Sequence, residues 1–235
     1  MSPWTFPRRG GARLTDPPFE SSERALLAVA VVAACAYGVA TAGERPPPFW
    51  TLVKGLPMCA LALLALRRRG REGAALLAAA LAVHAAGDVL LELAPLLAGV
   101  GAFLVGHLLY CALFARLRQR WSAIEGGAKL RLGLLLLGVA LLAPGVVAGA
   151  PPALRAPIAL YVGALTAMAA LAQLTRRGLP VALGALLFVV SDALLGAGWF
   201  GGVTIPGGRA LVWPTYVGGQ LAIALGVLRG ADLER

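Results

Sequence analysis

Two aspartates lie in long apolar stretches of the sequence, where ionised side chains are rare. Asp88 stands in the run Gly-Asp-Val-Leu-Leu and Asp192 in the similar run Ser-Asp-Ala-Leu-Leu. A carboxylate inside a bilayer costs about 2.5–3.5 kcal/mol or more, so an intramembrane Asp marks a functional site by default. Two carboxyl groups that face one cavity suit acid–base hydrolysis, because one can remain protonated while the other activates water.

Further polar side chains lie close to the aspartates in the sequence. His84, Asp88 and Glu92 are spaced four residues apart and therefore share one face of a helix. His107 and Tyr110, three residues apart, share a face of the following helix. Structural alternatives exist for two of these residues. Glu92 is close enough to a helix end to be solvated, and His84 can form a hydrogen bond within a helix bundle.

Lys54, Tyr161 and Tyr216 also lie within apolar stretches. Lys54 either faces the same cavity as the aspartates or extends along the helix to the outer membrane surface. Tyr161 and Tyr216 either face the cavity or belong to an aromatic belt at the membrane interface.

Other catalytic signatures are absent from the sequence. It contains neither a Gly-x-Ser-x-Gly nucleophile elbow nor a His-Glu-x-x-His zinc motif. A metal site would require His84, Asp88, His107 and Asp192 to come together. Their spacing in the sequence gives such a site little support. We therefore expect no metal ion. The three cysteines lack metal-ligand spacing, and we interpret them as small core residues.

The composition predicts an integral membrane protein. Hydrophobic residues make up 59% and charged residues 14% of the chain, with a mean hydropathy of +0.80. Soluble domains have about 45–50% apolar and about 25% charged residues. The apolar runs are continuous and rich in Leu and Ala, which favours helices over alternating membrane strands. The predicted fold is all-α and polytopic.

Eight segments are long and apolar enough to span a bilayer. They are 25–43, 49–66, 73–94, 96–115, 130–149, 154–174, 179–200 and 209–228. This divides the chain into an N-terminal tail (1–24), a transmembrane domain (25–228) and a C-terminal tail (229–235). The N-terminal tail lacks an early apolar region and is interpreted as a polar tail, not as a signal peptide.

The distribution of positive charge predicts the orientation of these helices. Most of the 21 lysines and arginines fall before the first helix, after the last, or in alternate loops on the same side. The positive-inside rule places those loops and both termini in the cytoplasm. The net charge of +10 is thus an orientation signal, and we expect no nucleic-acid partner.

The sequence suggests two related four-helix halves. Each Asp lies on the third helix of its half, and each following helix carries a tyrosine, Tyr110 or Tyr216. An ancient duplication would relate the halves by an axis along the membrane normal. Chance similarity among Leu/Ala-rich helices is the alternative. On this topology Lys54, Asp88, Asp192 and Tyr216 share the outer half of the bilayer, which predicts a water-filled cavity there.

The order of these residues resembles the lysoplasmalogenase family, which comprises the bacterial YhhN-like proteins and their animal relatives. The resemblance lies in segments 87–91, 99–103, 106–110 and 184–195, together with Lys54, Phe114, Tyr216 and Gln220. Two departures occur. The family commonly has Lys-Pro-Leu where this chain has Lys-Gly-Leu-Pro, and an aromatic residue is replaced by leucine at 96–97.

The resemblance implies hydrolysis of the vinyl-ether bond of lysoplasmalogens, without a cofactor. The implied catalytic pair is Asp88 and Asp192. Substrate-binding residues would be Lys54, His107, Tyr110, Tyr216 and Gln220. The partner would be a lysophospholipid with a vinyl-ether chain, within membrane lipid. The composition suggests a bacterial cytoplasmic membrane. Two alternatives remain, a proton-coupled transporter or lipid carrier that uses the same carboxylates and a scaffold without chemistry.

Overall fold

A computed structural model describes residues 19–41, 49–202 and 206–229, apart from the side chain of Arg209. Most of the two predicted tails and the proline-rich segment 46–48 lie outside the described residues. The described residues contain eight helices that are long and apolar enough to cross a membrane. They are α1 (Ser21–Ala40), α2 (Trp50–Arg67), α3 (Ala74–Leu93), α4 (Leu96–Arg116), α5 (Gly126–Gly149), α6 (Pro152–Gln173), α7 (Leu179–Phe200) and α8 (Gly208–Arg229). The predicted all-α, eight-helix fold is confirmed.

Two helices begin earlier than their apolar stretches predict. Helix α1 starts at Ser21 rather than residue 25, because Glu20 and Glu23 form a reciprocal capping box around its first turn. Helix α5 starts at Gly126 rather than residue 130, directly after Glu125. Both added turns are polar, and hydropathy alone does not include them.

Helix α8 joins the two halves of the bundle. It packs along α7 and also contacts α1, α2 and α3, while α4 contacts α6 across the same boundary. The pairs α3–α4 and α7–α8 are both closely packed, but the proposed duplication remains a prediction. Helix α5 packs on α6 and α7, and only 6% of its apolar span is buried inside the protein.

Glycines allow the closest helix contacts. A Cβ at Gly184 on α7 would lie 2.7 Å from the carbonyl oxygen of Gly219 on α8, so these two backbones touch. Ser191 on α7 adds a hydrogen bond of 2.9 Å to the Val212 carbonyl of α8. Small residues are what permit such close packing in membranes. These contacts hold Asp192 at a defined height relative to α8.

Polar contacts lie at the end of the bundle that carries the basic loops, both within the first half and between the halves. Within the first half, Glu23 is buried and accepts two hydrogen bonds of 2.8 Å from the guanidinium of the half-buried Arg68. Glu72 binds Arg176 and Arg177. The opposite end of the bundle carries the two aspartates. Asp88 lies in the last turns of α3, and Asp192 lies in the outer part of α7.

The cysteines do not lie in the core. Cys35 and Cys59 are exposed on the outer surface of the bundle, and Cys111 is half-buried. The interpretation as core residues was wrong for Cys35 and Cys59, because a membrane helix is apolar on all its faces, whereas Cys111 packs against the core. Hydrophobicity therefore does not distinguish the lipid-facing side from the packed side.

Candidate active site

Asp88 lies in the protein interior and is held by a tyrosine from the other half of the chain. Its side chain belongs to α3 and is only 2% exposed. The hydroxyl of Tyr216, buried on α8, donates to Asp88 Oδ2 at 3.0 Å. Tyr216 therefore faces the site and not a lipid interface. A hydrogen bond of this kind satisfies a carboxyl group that has little access to water.

Asp192 has a corresponding partner in Tyr161. The Tyr161 hydroxyl on α6 donates to Asp192 Oδ2 at 2.5 Å, and both side chains are half-buried. Tyr161 was not among the residues that we assigned to the site from the sequence. Its position within an apolar helix indicated either a cavity or an interfacial belt, and the structure shows contact with the carboxyl group. Each aspartate is thus bonded by one phenol.

Aromatic rings connect the two pairs. Phe188, one turn before Asp192 on α7, lies 5.2 Å from the ring of Tyr216 and 5.0 Å from that of His107. The ring of His107 lies 5.0 Å from Tyr161. The rings of Tyr161, His107, Phe188 and Tyr216 thus form a continuous path of contacts from Asp192 to Asp88. Helices α3, α4, α6, α7 and α8 therefore build one site.

Two buried histidines form the floor of this site. The Nδ1–H of His84 donates to the Ala80 carbonyl at 2.7 Å, which leaves Nε2 as an acceptor. His84 Nε2 and both ring nitrogens of His107 are buried without a hydrogen bond of ordinary geometry in the described part of the chain. The two rings meet edge to face at 5.5 Å. Gly106 on α4 makes room for His84, since a Cβ there would lie 2.7 Å from His84 Nε2.

Tyr110 and Gln220 lie deeper in the bundle than the aspartates. The Tyr110 hydroxyl donates to Gln220 Oε1 at 2.5 Å, and both side chains are fully buried. The ring of Tyr110 stacks on His84 at 5.2 Å. The amide nitrogen of Gln220 has no partner among the described residues. These two residues therefore reach Asp88 through His84 and Tyr216 and do not touch the carboxylates themselves.

Lys54 and Glu92 lie above Asp88, at the outer end of the site. Lys54 Nζ is 2.8 Å from Glu92 Oε1, with side chains that are 13% and 34% exposed. The ammonium also lies 5.9 Å from the centre of the Tyr37 ring. Glu92 is exposed near the end of α3, as the sequence suggested, and it is also paired with Lys54. The Lys54 side chain therefore ends in this ion pair and does not simply extend to the membrane surface.

No cluster of three or more His, Cys, Asp or Glu side chains that could hold a metal ion occurs within residues 19–41, 49–202 and 206–229. The described site offers three carboxyl groups (Asp88, Asp192 and Glu92), three phenols (Tyr110, Tyr161 and Tyr216) and the cation of Lys54. These groups can donate and accept protons and can bind an anion. They lie on helices that are long and apolar enough to cross a membrane.

A model of the YhhN family matches residues 49–227 of the chain. The match begins at α2 and extends through almost all of α8, and it includes every site residue described above except Tyr37. No curated protein and no solved structure gives a significant match.

Proposed function

Because the chain belongs to the YhhN family, the family of lysoplasmalogenases, we propose that it hydrolyses the vinyl-ether bond of lysoplasmalogens. One observation carries the proposal beyond family membership. Asp88 and Asp192 come from different helices, each is bonded by a tyrosine, and contacting aromatic rings link the two tyrosines.

The proposed reaction uses the two carboxyl groups in turn. One aspartic acid protonates the vinyl-ether carbon that is not attached to oxygen, which creates an oxocarbenium ion at the neighbouring carbon. The other aspartate stabilises this cation and accepts a proton from the water that attacks it. The resulting hemiacetal breaks its bond to the glycerol oxygen, which takes up a proton. One water is consumed, and a fatty aldehyde and a glycerophospho head group are released without oxidation or reduction.

The tyrosines position the two carboxyl groups for these steps. A carboxyl group bonded through one oxygen presents its second oxygen to the substrate in a defined direction. Tyr216 orients Asp88 in this way, and Tyr161 orients Asp192. We propose that the second oxygens of the two groups act on a single vinyl-ether group bound between them.

We assign the remaining polar residues to substrate binding. Lys54 binds the polar end of the lysophospholipid at the outer end of the site. His107, Tyr110 and Gln220 line the deeper part, where their buried polar atoms hold water or the oxygen of the product. A single-chain lipid enters sideways between helices with its tail in the bilayer. We also infer a bacterial cytoplasmic membrane with both termini in the cytoplasm.

The test is aldehyde release by the purified protein. A lysophospholipid with a vinyl-ether chain is compared with one that has a saturated ether chain of the same length. We expect aldehyde from the first substrate only, and a loss of at least about 100-fold in kcat/KM for Asp88→Asn and for Asp192→Asn. Glu125→Gln, an exposed carboxylate at the far end of the bundle, is the matched control with full activity.

Two results would overturn the proposal. Absence of aldehyde from the vinyl-ether substrate would exclude the hydrolase. Movement of the intact lipid between membrane leaflets in vesicles, abolished by the same Asp variants, would support the lipid carrier instead. Aldehyde release that persists unchanged in both Asp variants would refute the residue assignment.

A further inference from the structure

The contact between α1 and α8 is the smallest contact between two helices in the described part of the chain. The side chain of Trp213 on α8 fills it. The indole Nε1–H donates to the Ala34 carbonyl of α1 at 2.9 Å, and the indole ring lies 4.6 Å from the ring of Tyr37. A Cβ at Gly38 would lie 3.3 Å from Trp213 Cδ1, so the glycine makes room for the indole. These four residues define the α1–α8 seam.

The α1–α8 seam adjoins the candidate active site. The ring of Trp213 lies 5.8 Å from the ring of Tyr216, whose hydroxyl bonds to Asp88. On the other side of the seam, the ring of Tyr37 lies 5.9 Å from Lys54 Nζ. Trp213 is only half-buried, so part of the indole is exposed at the surface of the bundle while the rest touches the aromatic rings of the site.

We infer that the α1–α8 seam is the entry site for the hydrocarbon chain of the substrate, and that this chain displaces Trp213 on its way from the bilayer to Asp88. The inference rests on the proposed hydrolase function and names the two helices between which the single-chain lipid passes. Trp213 is then a residue that controls access and takes no part in the chemistry.

The depth of the seam matches the depth of the carboxyl group. Ala34 lies six residues before the end of α1, Trp213 five residues after the start of α8, and Asp88 five residues before the end of α3. These three helix ends belong to the same end of the bundle, so all three residues lie about 8–9 Å from it along the helices. A chain that enters through the seam therefore reaches Asp88 without crossing a further layer of polar groups.

Backbone contacts close neighbouring seams of the bundle. A Cβ at Gly55 on α2 would lie 3.3 Å from the Ala85 carbonyl oxygen on α3, and the backbones of Gly184 and Gly219 touch between α7 and α8. Such helices separate only if backbone moves against backbone. The α1–α8 seam differs, because the group that Gly38 meets there is a side chain, which can change its rotamer.

Displacement of the indole leaves no backbone group unpaired. The Ala34 carbonyl lies within α1, where it also accepts the backbone N–H of the residue four positions later. The hydrocarbon chain that replaces the indole is itself apolar, so the seam remains apolar when the chain is bound. Opening therefore costs the protein one side-chain hydrogen bond and one set of ring contacts.

The residue after Trp213 makes movement of this segment easier. Pro214 lies inside α8 and lacks the N–H that would bond to the Ala210 carbonyl. A helix bends more readily at such a position. The hydroxyl of Thr215 instead donates to the carbonyls of Leu211 and Val212, at 2.6 and 3.1 Å.

The experiment closes the α1–α8 seam with a reducible cross-link. Gly38→Cys and Trp213→Cys are combined in a background in which the native cysteines, Cys35, Cys59 and Cys111, are replaced by alanine. A short bifunctional methanethiosulfonate joins the two new thiols. We expect the initial rate of aldehyde release from a long-chain vinyl-ether lysophospholipid to fall at least tenfold on cross-linking. Reduction of the cross-link should restore the rate to within twofold.

The matched control joins α1 to α2 at the opposite end of the bundle. Ser22→Cys and Arg67→Cys are treated with the same reagent at a position where Arg67 donates to Ser22 Oγ at 3.1 Å. This cross-link holds α1 but leaves the α1–α8 seam open, so the rate should stay within twofold. A rate that is unchanged by the cross-link between positions 38 and 213, or an equal loss with both cross-links, would overturn the inference while the hydrolase stands.

Photolabelling of the wild-type protein separates this inference from the hydrolase proposal. A saturated ether lysophospholipid with a diazirine in its chain is not cleaved. We expect it to label peptides that contain the seam residues, and an excess of unlabelled lipid should reduce this labelling at least fivefold. If no vinyl-ether lipid is hydrolysed, the hydrolase proposal fails, but this labelling would still support the entry site. Labelling confined to other helices would overturn the inference even if aldehyde is released.

Discussion

Removing one hydroxyl group from Tyr161 tests whether the phenol bonded to Asp192 takes part in the function. In Tyr161→Phe the aromatic ring remains and keeps its contact with His107, whose ring lies 5.0 Å away. The hydrogen bond of 2.5 Å to Asp192 Oδ2 is lost. The half-buried carboxyl group is then free to rotate, so its catalytic oxygen no longer has a defined direction.

The expected size of the effect follows from this single contact. Hydrogen bonds to charged groups contribute about 1.5–3 kcal/mol, and every 1.36 kcal/mol corresponds to tenfold in rate. We therefore expect kcat to fall by about 10- to 150-fold in Tyr161→Phe. KM should change little, because the proposed role of Asp192 is at the reacting atoms and not at the head group. A decrease confined to kcat is the sign of an interaction made in the transition state.

The assay is the initial rate of aldehyde release across a range of vinyl-ether lysophospholipid concentrations in detergent micelles. Thr166→Val on the same helix is the matched control. It also removes a hydroxyl group, but that hydroxyl donates only to the Val162 carbonyl of its own helix, at 2.7 Å. Thr166→Val should keep the wild-type kcat. If Tyr161→Phe also retains a kcat within twofold of the wild type, the reasoning about Asp192 is refuted.

Two further predictions concern stability, measured as the melting temperature of the purified protein. Gly106→Ala places a methyl group 2.8 Å from His84 Nδ1, and overpacking of this kind costs about 1–3 kcal/mol. The melting temperature of this variant should fall by several degrees. Gly101→Ala is the control, because its added methyl group has nothing within 4 Å and should not lower the melting temperature. Glu23→Gln removes the charge that accepts two hydrogen bonds from Arg68 and should destabilise the protein by about 1.5–3 kcal/mol; an unchanged melting temperature would show that the pair is not structural.

Hydropathy was sufficient to predict the fold class, because a bilayer imposes a minimum length of apolar helix on any spanning segment. The eight segments differ from the observed helices mainly at the polar first turns of α1 and α5. The same argument singled out Asp88 and Asp192, since a charge in an apolar run is energetically costly wherever the helix is placed. Neither conclusion needs knowledge of which helices touch.

The partners of these residues were decided by the tertiary structure. Asp88 is bonded by Tyr216, 128 residues away in the sequence, and Asp192 by Tyr161 on α6. Every face of a membrane helix is apolar, so the sequence contains no hydropathy signal for the face that meets another helix. That choice depends on small residues such as Gly106 and Gly184, which let particular backbones approach.

The sequence by itself therefore determined that costly carboxyl groups lie within the membrane, and its motifs indicated the family to which the chain belongs. Only the packing of the helices linked the two carboxyl groups through contacting aromatic rings, gave each a tyrosine and placed the Lys54–Glu92 pair one turn above Asp88. The physical reason is that burial energy depends on composition along the chain, whereas hydrogen bonds and ion pairs depend on distances between helices.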